Sequence, residues 1–399
     1  MLTMGVAVLY RESREVELTM SKRILFLYLT EHSGHYAAAM AVEQALRRCD
    51  DGIESMMLDS FSHTNPVLSK VTLHGYLAML KAAPEIWEFM YDNPEFKQRT
   101  AKIRELLNRG NSKKLHQVLT NFAPDAIVCT QAFSCGVIAS WKRATGNHKL
   151  ALVGVLTDFV AHRYWADEEV DLYIAPNSET KESLLVQGVP ANRIRVTGIP
   201  IAASFAQPGN KNDTLKNLGL KADVPKIVVM GGSLGLGPIK SVIRKLDTLP
   251  QPFDIIVVTG KNKRLRNELL DRRRPRRHTT KALGFVDNMH ELMELAEVLV
   301  TKPGGITTAE ALSRHVPMII INPIPGQEEK NAQFLLAHNA AVHAVKAGDV
   351  AQYVDEFLRD PERLRRLREG ARALGRPHAA QETARAIIEV LAEKSGMAV

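Results

Sequence analysis

Residues 228–241 read VVMGGSLGLGPIKS, an apolar run that ends in four glycines within seven residues. Two kinds of chemistry use such a loop. Gly231-Gly232-Ser233-Leu234-Gly235 fits the G-x-S-x-G elbow that presents a nucleophilic serine in an α/β-hydrolase. The same residues fit a strand that stops at a glycine cradle, so that the next helix points its free N–H groups at a phosphate. An elbow also requires an acid and a histidine later in the chain. Asp254, Asp287, His290, His338 and His343 are available for that, without a pattern that selects any of them. Against the elbow, Gly237-Pro238 prolongs the loop, and proline suits a first helical turn, where its missing N–H would have been unpaired anyway.

A second turn of the same kind favours the phosphate reading. VLVTKPGGITTAEAL (298–312) is again a strand, then Lys302-Pro303-Gly304-Gly305, then a helix start. Two helix N-termini converging at the C-terminal ends of parallel strands form one anion site, each bringing about half a positive charge. Glu310, about a turn and a half into the second helix, is placed to accept hydrogen bonds from ribose hydroxyls. NPIPGQEEKNAQ (322–333) brings Gln327, Glu328 and Glu329 to a loop–helix junction, where acids and amides suit hexose hydroxyls. Each alone also fits a solvated cap; together they read as a nucleotide-sugar site.

The N-terminal half holds the complementary residues. LTEHSGHYAAAMA (29–41) sets Ser33-Gly34-His35 between a strand and a helix. The expectation is that His35 faces outwards at the mouth of the sheet, with the neutral-range pKa and open access that a general base needs. TDFVAHRYW (157–165) follows another strand and puts Asp158, His162 and Trp165 on the same rim, as acceptor-side candidates.

The elements that must carry these residues alternate along the chain. Short apolar runs at 24–29, 126–129, 151–156, 172–175 and 194–199 are separated by helical patterns. A second set follows at 226–230, 254–258, 297–301, 317–321 and 340–345. Strands joined by single helices mean parallel sheets with helices on both faces. The 399 residues, 45% hydrophobic and 24% charged, suit two globular α/β domains. A Pro-, Gly- and Asn-rich stretch at 200–224 separates them. The expected division is a disordered extension at 1–20 and a first domain at 21–200. A second domain follows at 201–375, then a closing amphipathic helix at 376–399.

Net charge is +8, which suits an anionic partner. The arginine runs at 271–278 and 363–376 lack aromatic interleaving, so no nucleic acid is expected. No apolar run is long enough to span a bilayer, and no basic leader opens the chain. Cys49, Cys129 and Cys135 lack metal-ligand spacing and suit a reducing compartment. Residues 66–108 interrupt the first domain with Leu73, Tyr76, Trp87, Phe89 and Tyr91 interleaved with Lys70, Lys81 and Lys97. That mixture fits extra helices on the sheet or a surface that lies in a lipid interface.

SGH (33–35), TDFVAHRYW, VTGIPI, MGGSLGLGP, TGKN, LGFVDNM, TKPGGITTAEA and PGQEEKNA together resemble monogalactosyldiacylglycerol synthases and bacterial processive diacylglycerol glycosyltransferases. The likeness runs from about Lys22 to beyond residue 345. It implies a GT-B fold, two Rossmann-like domains whose parallel sheets face a central cleft, with the last helix crossing back to the first domain. It implies an inverting transfer of a hexose from a UDP-sugar to diacylglycerol at the cytoplasmic face of the membrane, by a peripheral protein on an anionic surface. By resemblance, His35 is the base, and Ser33 and Gly34 stand beside it on the acceptor side. Gly232, Ser233, Gly235, Gly237, Gly304 and Gly305 hold the diphosphate. Gly260, Phe285, Val286 and Glu310 hold uridine, and Gln327 and Glu328 the hexose. Segment 66–108 becomes the lipid side. Pro303-Gly304-Gly305 stands where the plant enzymes have Ala before Gly-Pro-Gly, which leaves galactose, glucose and glucuronate open. The chain has no Asp-x-Asp pair, so neither a metal nor another cofactor is expected.

Overall fold

Segments such as RILFLY and KIVVM are apolar at nearly every position, so strands built from them need cover on both faces. The computed structural model describes residues 21–31, 33–60, 115–271 and 276–396. The expectations for 1–20 and 66–108, and part of the arginine run at 271–278, lie outside these. The described residues form two six-stranded sheets. The first contains β1 (Arg23–Tyr28), β2 (Glu54–Asp59), β3 (Ala126–Cys129), β4 (Ala151–Val155), β5 (Leu172–Ala175) and β6 (Ile194–Val196). The second contains β7 (Lys226–Met230), β8 (Asp254–Val258), β9 (Thr280–Leu283), β10 (Ala296–Thr301), β11 (Met318–Ile321) and β12 (Ala341–Ala344). Strand orders are β2-β1-β3-β4-β5-β6 and β12-β11-β10-β7-β8-β9, and all pairings are parallel.

This order locates the functional crevices. Strand succession reverses between β1 and β3 in one sheet and between β7 and β10 in the other. In open parallel sheets, ligands bind outside the C-terminal strand ends at such a switch point. Helix Gly34–Cys49 follows β1, while loop 231–238 and helix Gly305–Ser313 follow β7 and β10. His35 and the two glycine turns therefore lie at the two switch points.

Each sheet has an apolar core on both faces. Phe26, Val128 and Val153 lie on one side of the first sheet, and Leu25, Ile127 and Leu152 on the other. Helix Ala379–Ser395 belongs to the first of these cores, through Ala380, Ala384, Ile387 and Leu391, and lies against Gly34–Cys49. Between the sheets, Phe205 and Ile201 are buried in the second domain's core, and Arg314 donates to the Ser204 carbonyl at 2.9 Å. The halves also touch directly. Phe159 and Phe334 stack with ring centres 5.0 Å apart.

Candidate functional site

The loop after β7 is a closed turn. Gly235 N–H donates to Gly232 O at 3.0 Å and Leu236 N–H to Gly231 O at 2.9 Å, and the helix begins only at Ile239. An elbow would place the serine at a sharp strand-to-helix turn. Here Ser233 sits inside the turn, and its carbonyl accepts from Lys261 N at 2.9 Å. The hydrolase alternative is set aside on this geometry. The glycines divide into two kinds. A Cβ on Gly235 would overlap the Thr259 carbonyl, and one on Gly260 the Ser233 carbonyl, so these two lock the loops together. Gly232 and Gly237, at φ 68° and 102°, have open space where a Cβ would project, which leaves their backbone approachable by a ligand. Phe285 stands exposed near the end of β9, with Val286 half-buried on the core.

Beyond β10, Lys302 and Glu328 form an ion pair that the sequence patterns did not reveal. Lys302 Nζ lies 2.8 and 3.1 Å from the two carboxylate oxygens, and Ile324 N–H donates to Oε2 at 2.8 Å. Glu328 therefore has a resident partner in addition to its place at the start of helix Gln327–Ala337, beside Gln327. Lys302 also lines a small cavity with Gly237 and Pro238, which brings the residue alongside the end of the glycine loop. Gly304 lies near Glu328. Gly305, expected at the diphosphate, instead meets the other domain, where a Cβ would overlap the Thr157 carbonyl. Glu310 is half-buried, and burial alone pushes its carboxyl up to about 8.

In the first domain, His35 does not face freely outwards. Its Nδ1 lies 2.7 Å from the Thr130 carbonyl and 3.1 Å from Thr157 Oγ1. A carbonyl only accepts, so Nδ1 carries the proton and Nε2 keeps the lone pair. Desolvation holds the ring below its ordinary pKa, opposed by the charge of Asp158 and by the Thr130 bond. Asp158 thus stands beside the histidine rather than out along the rim. Burial raises its carboxyl, opposed by a hydrogen bond from Asn331 and by His35.

The other four acceptor-side candidates have partners within the protein. Trp165 is a core residue, 7% exposed and packed on Gly154. His162 is also buried; its Nδ1 accepts from Tyr164 N at 3.2 Å. Ser33 is a helix cap, accepting from Tyr36 N at 3.2 Å and donating to the Thr30 carbonyl at 2.8 Å. Gly34 abuts Ile306 of the second domain. A cavity of about 420 Å³ opens elsewhere, at the opposite end of the central strands of the second sheet, near the starts of β7 and β10. Its Lys226, Arg314 and Arg368 pair with Asp254, Glu294 and Glu297, away from the switch-point residues.

Residues 35–201 match the family described as Monogalactosyldiacylglycerol (MGDG) synthase, and 226–383 match the Glycosyltransferase family 28 C-terminal domain. A processive diacylglycerol beta-glucosyltransferase of Bacillus cytotoxicus is 31% identical over 94% of this chain and 95% of its own. The chain belongs to the monogalactosyldiacylglycerol synthase and processive diacylglycerol glycosyltransferase family. Another relative with the same description, from Bacillus pumilus, is 30% identical over 92% of this chain and 95% of its own. Likeness in fold extends further. MurG of Acinetobacter baumannii superposes with a TM-score of 0.61 at 17% identity, over 92% of this chain and 99% of that one. A UDP-N-acetylglucosamine 2-epimerase of Listeria monocytogenes gives 0.63 at 14%, over 94% and 97%. This family member therefore has the GT-B arrangement expected from its alternating strands and helices.

Proposed function

We propose that this family member is an inverting UDP-hexose:1,2-diacylglycerol hexosyltransferase. The observation that carries the reading is the meeting of the two switch points. Gly34, next to His35, packs against Ile306 on the helix that follows the second domain's glycine turn. One crevice then holds a histidine with a free Nε2 and, opposite, approachable glycine backbone, a buried lysine and an acid at ribose position.

In the proposed reaction, the diacylglycerol hydroxyl gives its proton to His35 Nε2 while its oxygen attacks the anomeric carbon. The bond to UDP breaks on the opposite face, so an α-linked donor yields a β-glycoside. The name beta-glucosyltransferase carried by the relatives fits this stereochemistry and makes UDP-glucose the first donor to test. The open backbone at Gly232 and Gly237 and the Lys302 ammonium face the departing diphosphate, and Glu310 takes the ribose. Fixed donors aimed at developing charge need no rearrangement during reaction. Glu328 exchanges Lys302 for hexose hydroxyls as the phosphate takes over the lysine.

With these cations in place, and with no Asp-x-Asp pair in the chain, turnover is expected to survive EDTA. Abolition by EDTA and recovery with Mn²⁺ would overturn that point. Among the described residues no helix is long and apolar enough to cross a membrane. The aromatic and lysine residues of 66–108 support a peripheral mode on an anionic, cytoplasmic membrane face. The primary test is transfer from UDP-glucose, UDP-galactose, UDP-glucuronate and UDP-GlcNAc, each separately, to diacylglycerol in mixed micelles. A glycolipid from one donor fixes the substrate. Measurable UDP binding with no product from any donor removes diacylglycerol as the acceptor.

A further inference from the structure

We propose that Asn331 is a positioning residue that links the donor-side helix of the second domain to the histidine of the first. The inference rests on the transferase reading above and gives a role to a residue of the PGQEEKNA motif that had none. Asn331 is completely buried, one turn beyond Gln327 and Glu328 on helix Gln327–Ala337. Its Nδ2 donates to Asp158 Oδ1 at 3.0 Å and to the Pro303 carbonyl at 3.0 Å, while its Oδ1 accepts from Phe159 N at 2.9 Å. A single amide thus joins three segments: the helix at the hexose position, the 302–305 turn, and the 157–159 loop of the opposite domain. Both of its N–H donors are used, so any movement of the helix or the turn is felt at Asp158.

Asp158 transmits this to His35 by charge. The Asn331 bond favours the ionised carboxylate against its burial, and that carboxylate in turn favours the protonated imidazole. Other elements packed around helix Gly34–Cys49 also carry charges: Gly305–Ser313 has Glu310, and Ala379–Ser395 has Glu382 and Arg385. Asp158 is the one whose charge acts on His35 among the described residues. Loss of the amide leaves Asp158 protonated to higher pH, and His35 becomes a weaker base.

The test follows the His35 ring directly, by NMR titration of its Cε1–H in the full chain, with the resonance assigned by His35→Gln. Asn331→Leu is expected to move the His35 titration to lower pH, as is Asp158→Asn. The double variant should move it no further than the larger single shift, because both act through one carboxylate. Shifts that add, or a titration that does not move in Asn331→Leu, overturn the proposal. Asn331→Asp, which keeps the side-chain shape, covers the case in which Asn331→Leu does not fold. It sets a second carboxyl against Asp158, so the His35 titration should differ from the parent's, and an identical curve overturns the link. Saturating UDP should shift the His35 titration by different amounts in the parent and in Asn331→Leu. Equal shifts would mean that UDP acts only through space, and would overturn the coupling. Absence of UDP binding by calorimetry would instead sink the transferase reading, while the ligand-free titrations would still decide the role of Asn331.

Discussion

His35 and Glu310 occupy comparable places, on the helices that follow β1 and β10 at the two switch points, yet the protein treats them in opposite ways. His35 is held by a carbonyl, a hydroxyl and a nearby carboxylate. Nothing among the described residues offsets the burial of Glu310, whose carboxyl rises to about 8. A group that must present the same lone pair at each turnover is fixed by its own domain. In the proposed reaction, Glu310 is the group that a ligand would complete.

The largest effect expected from this contrast is on His35. His35→Ala should lower transfer by about 10²–10⁴ while UDP affinity by calorimetry stays within about twofold. Lost UDP affinity would place His35 on the donor side and break the comparison. Glu310→Ala should raise the donor KM by about two- to tenfold, the range for one hydrogen bond between neutral groups, with a smaller change in kcat. An unchanged donor KM would leave Glu310 as a packing residue.

A third prediction separates the two roles by stability. The folded Glu310 carboxyl keeps its proton to about pH 8, whereas its ordinary value in an unfolded chain is 4.5. Between these pH values the unfolded chain binds fewer protons, so the parent loses stability as pH rises through the window. Glu310→Gln removes that loss. Its Tm should match the parent's near pH 4 and exceed it at pH 8, each kcal/mol of the loss showing as roughly 2–4 °C. A constant Tm difference across the window would show that burial is not what raises the group. The smallest functional effect belongs to Trp165→Phe. It should lower Tm through lost core packing while the acceptor KM stays within about twofold.

The legible parts of the molecule were those with a local signature. Ten strands were readable as apolar runs, and the unread ones, β2 and β9, are edge strands whose half-exposed sequences ESMMLD and TKAL carry no such run. The glycine spacing led to the loops after β7 and β10, but not to why each glycine is there. Gly305 and Gly34 are small because the other domain lies against them, and Gly235 because a neighbouring loop does. Such contacts have no trace in local sequence. Lys302 and Asn331 were missed for the same reason, since their partners lie 26 and 173 residues away. Trp165 was misplaced because an aromatic residue shortly after a strand reads equally well as rim or as core.

The closing helix gives the order of synthesis a structural consequence. The strands of the first sheet are complete by Val196, but one face lacks Ala380, Ala384, Ile387 and Leu391 until helix Ala379–Ser395 has left the ribosome. At about 5–20 residues per second this delay is on the order of tens of seconds. The nascent first domain must wait with an apolar face uncovered while the second domain, contained within one continuous stretch, can fold beside it. Whatever shields that face during translation protects the half of the protein that carries His35.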